Sequence, residues 1–469
     1  MSSNLTSFIE AVKAHFPEKA VVTDVDQLEK YRTEWRRIYH SDNQVALLPD
    51  STQQLSEMIQ LCAKYQIPIV PQGGNTGLVG GCVAGSDQVI ISTARMNRIL
   101  SIDPINYTMT VEAGAILANI QNAAQEQGCL FPLSLGAEGS CVIGGNIASN
   151  AGGVGVLKYG NTRELVLGLE VVLPDGRIWN GMRPLRKDNS GYSLKNLFIG
   201  SEGTLGIITK AILKLFPGVR QVETAFCAIP NVQSALSLLS LSREMSGDQV
   251  TAFELISEFA LTIVEEHSDA KSPLTQRSGW YALIELSTSR QGNDLREAFE
   301  QILAKGFETG LIEDAVIAES LAHRQSFWAL REGIPECQTK YGGSIKHDIS
   351  VPVSDIPDFI NQAGEAVARY MLDINMCAFG HVGDGNVHFN FSQPKDMDKK
   401  EFLSHWDAVN KLVHDTVVQF GGSISAEHGI GLLKLEEIRH YRSSIDQQLL
   451  DSIKQAIDPK TLLNPGKLI

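Results

Sequence analysis

The chain contains no Cys-x-x-Cys pair. Its seven cysteines, Cys62, Cys82, Cys129, Cys141, Cys227, Cys337 and Cys377, are odd in number and scattered. That fits reduced thiols in a cytosolic protein. The dinucleotide fingerprint G-x-G-x-x-G is missing, and so is a P-loop, so a Rossmann or kinase site has no local support. Basic residues are scarce: 40 Lys and Arg stand against 54 Asp and Glu, a net charge of −14. Such a surface repels phosphate backbones and anionic lipids, which argues against nucleic acid as a partner. No apolar run approaches the ~20 residues of a membrane span, so no transmembrane segment is expected. Residues 1–16 are polar and mixed in charge, with no basic start leading into an apolar stretch. No signal peptide is expected, and the thiols point to a cytoplasmic protein.

What is present is glycine, 41 residues of it in clusters, within 469 residues that allow two or three domains. Residues 4–16 have the spacing of an amphipathic helix. Strands are expected at 44–48, 67–70, 89–92 and 108–111, with helices at 55–65 and 116–127. Pro49-Asp50-Ser51 reads as a capped helix start. Pro174-Asp175-Gly176 reads as the turn of a hairpin over 166–179, and Pro217-Gly218 as a boundary. Beyond 220, strand–helix units (222–228 with 232–243, 280–286 with 294–309) imply an α+β domain with helices on one sheet face. The expected division is an N-terminal helical segment at 1–42, a domain at 43–218, a second at 219–420 and a helical portion at 421–469.

Two glycine loops stand out. One runs Pro71-Gln72-Gly73-Gly74-Asn75-Thr76-Gly77-Leu78-Val79-Gly80-Gly81, directly after an apolar strand; the other is Gly144-Gly145-Asn146-Ile147-Ala148-Ser149-Asn150-Ala151-Gly152-Gly153. Glycine admits positive φ and close approach of a ligand. Successive unpaired N–H groups form nests for phosphate oxygens. The plain alternative is two tight turns, but two clusters with interleaved Asn, Thr and Ser favour a pyrophosphate held by backbone donors. Together with PLSLGAEGSCVIGGNIASNAGG and FIGSEGTLGIIT, the first loop resembles the FAD-binding domain of the vanillyl-alcohol oxidase, or p-cresol methylhydroxylase-type, superfamily. The resemblance spans about 40–469. It implies an α+β fold: a two-subdomain FAD-binding domain of that type, an α+β substrate (cap) domain and a helical C-terminal portion. The cofactor contacts it implies fall on Pro71, Gly73, Gly74, Asn75, Thr76, Gly77 and Leu78 of the first loop. Others fall on Gly136, Ser140, Gly144, Gly145, Asn146 and Ala148, and on Gly203 and Ile207 in the segment near the rings. Some relatives bind flavin covalently through a histidine in the first loop; Asn75 occupies that neighbourhood here, which implies noncovalent FAD.

Six of eleven histidines lie beyond residue 380. In Cys377-Ala-Phe-Gly-His381-Val-Gly-Asp-Gly-Asn-Val-His388-Phe-Asn390, the central Gly-Asp-Gly-Asn is hairpin chemistry. Folding there would set His381 and His388 on neighbouring strands, roughly opposite, about 5 Å apart at Cβ and able to share a metal. Ser425-Ala426-Glu427-His428-Gly429 supplies a carboxylate and a further imidazole. A His2Glu set with an open position suits a catalytic zinc or similar divalent ion, with Glu427 as ligand and His428 as base. Two core histidines and a turn-capping Glu-His pair are the bland alternative. HExxH is absent, so a metalloprotease is unsupported. His347 is the second candidate base, and His405, His414 and His440 are expected at the surface. Arg331, in a helix-like stretch, is either a carboxylate clamp or paired with Glu332 or Glu336 on a helix surface.

GHVGDGNVHFN with SAEHGIG resembles the FAD-linked D-2-hydroxyacid dehydrogenases. That resemblance implies His381, His388 and Glu427 as metal ligands and His428 as catalytic base. It also implies Arg331, Lys346 and Asn390 as substrate contacts. The implied reaction is oxidation of a D-2-hydroxy acid to the 2-keto acid, D-2-hydroxyglutarate first, with D-lactate or glycolate as the alternative. Animal members carry a threonine one turn after the arginine where this chain has Pro335, which favours a smaller acid. The implied acceptor is an electron-transfer flavoprotein or a quinone, and a homodimer is among the assemblies allowed. A metal-dependent hydrolase without flavin and an inactive flavin-binding module are the rivals from other classes.

Overall fold

The computed structural model describes residues 3–292 and 294–469. They group into two compact units. The first comprises the residues up to Gly153 together with Tyr159–Gly218 and Glu427–Ile469; the second comprises Val154–Lys158 and Val219–Ala426. The N-terminal helix and the C-terminal 43 residues therefore share the body of the first glycine-rich unit.

That unit holds two sheets. In one, Ala46–Leu47 and Ile69–Gln72 flank Val89–Ser92 in parallel, with Val21–Val22 antiparallel at the edge. Parallel neighbours need a crossover, and the helix Thr52–Tyr65 supplies it. Ser51 caps that helix by accepting from Gln54 N at 3.3 Å. Its Leu55, Met58, Ile59 and Cys62 recur at helical spacing and are all buried. The other sheet is antiparallel: Ile99–Asp103, Thr108–Glu112, Ile207–Lys214, Val166–Val172 and Ile178–Gly181, in that spatial order. The expected hairpin turn is present, with Gly176 at φ 84°. The strand Ile99–Asp103, absent from the sequence reading, is an edge with mostly exposed residues. The chain's end closes the unit: Ile453 and Ile457 pack on the second core and Leu462 and Leu463 complete the first.

In the second unit one antiparallel sheet runs Asp314–Ile317, Gln221–Ile229, Trp280–Thr288, Val250–Ser257, Asn375–His381, Asn386–Ser392, Ser344–Ile345, and Asp348–Ser350 also pairs with Asn386–Ser392. All eight residues of Val250–Ser257 are buried. Helices therefore cover both faces, not one as the strand–helix pattern suggested. Val232–Ser246 and Asp294–Glu308 pack on one side. Glu258–His267, Leu321–Glu332 and Ile334–Tyr341 seal the other over Phe226, Tyr281, Ile256 and Phe379. Fully burying each such aromatic contributes roughly 1.5–3 kcal/mol. Among the described residues no helix is long and apolar enough to cross a membrane.

Candidate active site

The first glycine loop leaves the strand Ile69–Gln72 and enters a cleft of about 1070 Å³, open to solvent, within the first unit. Its walls include Pro71, residues 73–77 and 144–146, Ala148, Gly203 and Ile207; Leu78, Gly136 and Ser140 do not line it. The glycines are needed for two different reasons. A Cβ on Gly74 would sit 2.5 Å from the Ser140 carbonyl oxygen, and one on Gly144 2.7 Å from Ala113 Cβ. These positions let backbone pack on backbone. A Cβ on Gly77 would meet nothing within 4 Å; it would project into the cleft.

The two loops also differ in their amides. The N–H groups of residues 74–77 find no acceptor among the described residues, and Asn75 adopts φ 55° while its Nδ2 donates to the Thr33 carbonyl at 2.8 Å. That is a nest. Gly144 N instead donates to Ala113 O, and Gly145 N and Asn146 N to Val142 O. The start of the second cluster is therefore no nest, contrary to the expectation of two. It opens the short helix Ile143–Ala148, and the amides of residues 144–146 are already engaged. Asn146 Oδ1 is buried without a hydrogen-bond partner, on the wall of the cleft. A row of open donors, an orphaned acceptor and a glycine-rich wall fit a flavin dinucleotide.

His428 lines the same cleft. Its loop is pinned by Glu202, whose carboxylate accepts from Ile430 N at 2.7 Å and Gly431 N at 2.8 Å. Gly429 and Gly431 have positive φ, and a Cβ on Gly431 would lie 2.2 Å from Val79 O. Burial pushes the Glu202 carboxyl up, and those two backbone bonds pull it back. Glu202 was not singled out in the sequence, although it is the one charge inside Gly-Ser-Glu-Gly-Thr-Leu-Gly. Asn464 Nδ2 donates to the carbonyls of Gly81 and Glu202, so the chain's end ties both loops together.

In the second unit the Asp384–Gly385 turn forms as expected, with Gly385 at φ 90°. The register pairs His388 with Phe379 rather than with His381. His381 thus lies one diagonal step along, and the two imidazole centroids are 6.0 Å apart. The direct register partner of His381 is Glu254, fully buried at 0% exposure. Glu254 Oε1 lies 2.5 Å from His381 Nδ1, and its Oε2 accepts from Arg331 Nε at 2.6 Å. Burial alone would raise the Glu254 carboxyl; His381 and Arg331 more than offset it and hold it at about 2. Arg331 is itself buried, its guanidinium 4.7 Å from the Phe379 ring centroid. The surface pairing with Glu332 or Glu336 does not occur; Glu336 pairs with Lys340. Lys346 Nζ donates to Pro335 O at 3.3 Å. Burial raises the Cys377 thiol to about 12 while Lys346 and Arg331 pull it down, so both cations act on one neighbourhood. Pro335 opens the helix Ile334–Tyr341, a position where its missing N–H costs nothing.

Asn390 is buried, accepting from His347 N at 2.9 Å and donating to Gln338 Oε1 at 3.1 Å. His347 is also buried, with Nδ1 2.8 Å from Phe389 O; it is a framework residue. His414 is buried against it, with ring centroids 5.4 Å apart. This corrects the expectation that His414 is a surface residue: its helix, Trp406–Gln419, packs on the sheet through Val409, Val413 and Val417. His440 is exposed as expected, and His405 is partly buried beside Tyr370. Ala426 N donates to Asp348 O at 3.2 Å, and Asp348 is the register partner of His388. The next peptide bond, Ala426–Glu427, is where the chain passes from the second unit to the first.

Comparison with known proteins now defines the class. Residues 219–468 match the family "FAD linked oxidases, C-terminal domain", and residues 44–181 match "FAD binding domain". The chain belongs to this FAD-linked oxidase family and is an FAD-dependent oxidoreductase. Among its relatives, "D-2-hydroxyglutarate dehydrogenase, mitochondrial" of Arabidopsis thaliana is 40% identical, over 96% of this chain and 79% of that one. The protein of the same name in Danio rerio is 38% identical over 96% and 82%. A "Putative D-lactate dehydrogenase C713.03, mitochondrial" of Schizosaccharomyces pombe is 36% identical over 95% and 86%. The fold matches p-cresol methylhydroxylase with a TM-score of 0.78 at 17% identity, covering 100% of this chain and 97% of that one. It also matches alkyldihydroxyacetonephosphate synthase, at 0.74 and 20%, over 98% and 85%. The p-cresol methylhydroxylase-type α+β fold is thereby established. The cytoplasmic expectation is overturned, since the three relatives named above are all mitochondrial. Reduced thiols and an acidic surface suit either compartment, because the address is not written in the catalytic body.

Proposed function

We propose that the chain oxidises a D-2-hydroxy acid to its 2-keto acid, with D-2-hydroxyglutarate as the preferred substrate. The observation that carries this reading is that His428 lines the cleft whose floor is the open-amide glycine loop. It supports a base held beside the cofactor. FAD, bound noncovalently, would supply the two-electron hydride acceptor. The amides of 74–77 hold the diphosphate, and the fixed loop of Glu202, Gly429 and Gly431 keeps the imidazole in place. His428 takes the substrate hydroxyl proton as general base. Arg331 and Lys346 bind the substrate's carboxylates, and Asn390, engaged with Gln338 and His347, shapes the floor beneath them.

His381, His388 and Glu427 would hold a divalent ion, zinc by the nature of the donors, and that ion would supply Lewis-acid polarisation of the hydroxyl. The donor set supports this assignment. The Glu254 carboxylate accepts a hydrogen bond from His381 Nδ1–H, which leaves the ring's lone pair on Nε2. Glu427 directly follows a residue bonded to the strand beside His388. Relatives named for D-2-hydroxyglutarate favour that acid, and the fission yeast relative keeps D-lactate as the second reading. The acceptor we propose is an electron-transfer flavoprotein or a quinone. Steady-state kcat/KM with an artificial acceptor decides among D-2-hydroxyglutarate, D-lactate, D-malate and glycolate. D-2-hydroxyglutarate is expected to lead by tenfold or more; a lead for D-lactate would transfer the assignment.

A further inference from the structure

We infer that Glu254 is a positioning residue shared by the metal site and the substrate clamp: one buried carboxylate that sets the His381 tautomer and orients Arg331. The inference rests on the functional reading above and adds a residue to it. A buried carboxylate is expensive unless both oxygens are engaged, and here each oxygen has its own partner: Oε1 faces His381 Nδ1 and Oε2 faces Arg331 Nε. The partners come from different elements. His381 ends a strand paired in register with Glu254, and Arg331 sits in the last turn of the helix Leu321–Glu332.

Each bond has a chemical consequence. A proton held on Nδ1 leaves Nε2 as the coordinating nitrogen, and a carboxylate behind a ligating imidazole raises its basicity. Using Nε of Arg331 leaves the two Nη atoms for a carboxylate. Phe379 keeps the parts in step: its ring lies 4.7 Å from the Arg331 guanidinium carbon and 4.9 Å from the His388 ring centroid. Ordering either partner therefore orders the carboxylate that the other needs, so metal affinity and substrate affinity share one support.

The test uses purified flavin-loaded protein, with Zn2+ titrated against a competing chromophoric chelator and KM and kcat measured separately. Glu254→Gln keeps the volume but sets an amide donor against one of two N–H donors. The expected result is unchanged flavin absorbance, Zn2+ affinity lower by about 10–100-fold and KM raised at least tenfold. An ion pair that only stabilises the fold would lower the melting temperature and leave both affinities alone, which would overturn the inference. If Glu254→Gln does not fold, Glu254→Asp keeps the charge and shortens the reach; wild-type Zn2+ affinity and KM in that variant would equally overturn it. His388→Ala separates the two levels. If it loses Zn2+ while Glu254→Gln retains full affinity and KM, the role of Glu254 falls and the functional reading stands. If wild-type protein binds no divalent ion, or His388→Ala binds it unchanged, the metal reading falls and the inference with it.

Discussion

The two units build sites by opposite means. In the first, glycines shape the cleft: Gly74 and Gly144 let loops touch, a Cβ on Gly77 would meet nothing within 4 Å, and the amides of residues 74–77 stay open. In the second, recognition is assembled from charges, and each buried charge needs a partner brought from far along the chain. Glu254 meets Arg331 across 77 residues and His381 across 127. Backbone amides are donors every residue possesses, whereas a buried carboxylate with two cationic partners needs particular side chains.

The strongest way to break this comparison is to remove the imidazole that lines the first unit's cleft. His428→Ala is expected to leave a yellow, folded protein whose flavin is reduced about 10²–10⁴-fold more slowly by substrate, measured by rapid mixing without oxygen. An unchanged rate would remove His428 from the reaction.

Next comes a glycine pair that separates packing from ligand space. Gly74→Ala drives a methyl onto the Ser140 carbonyl and is expected to cost about 1–3 kcal/mol and the flavin with it. Gly77→Ala has room in the protein, so its melting temperature should match the wild type while flavin occupancy after dialysis falls. Equal flavin retention in Gly77→Ala would place the cofactor elsewhere. At the proposed metal site, Glu427→Gln is expected to keep flavin and lose the metal by elemental analysis, along with turnover.

The smallest expected effect is a pH slope. Burial pushes the Lys467 ammonium down from 10.5 to about 8, against the pull of Cys82 and Glu202. The unfolded chain keeps this proton up to 10.5 and the folded one only to about 8. Folding between those values therefore releases a proton, and this contribution to stability rises with pH across the window and is lost as pH falls through about 8. The slope is at most ~1.4 kcal/mol per pH unit. Denaturant titrations should show wild type gaining on Lys467→Met by about 1 kcal/mol between pH 8 and 9.5; parallel curves would contradict it.

Legibility in the sequence followed the same division. Ser51 and the spacing after it marked a helix correctly because capping and amphipathicity are local. Gly383-Asp384-Gly385-Asn386 marked the hairpin for the same reason, but the register that makes the histidines diagonal depends on which residues the turn takes up, and residue types do not encode that. The second glycine cluster looked like a nest because composition does not reveal where an N–H points. Glu254 lies in an apolar strand that lacks alternation, so neither its partners nor its burial could be read. His414 was taken for a polar surface residue because its helix pattern is weak, and only tertiary packing buries it.

The account rests on a two-electron transfer from a D-2-hydroxy acid into a flavin held by the first unit, and an anaerobic titration reads it directly. Stepwise D-2-hydroxyglutarate should bleach the bound flavin fully at about one equivalent per chain, with the L-enantiomer inert at the same concentrations. A flavin that stays oxidised throughout, or that bleaches equally with both enantiomers, would contradict the account.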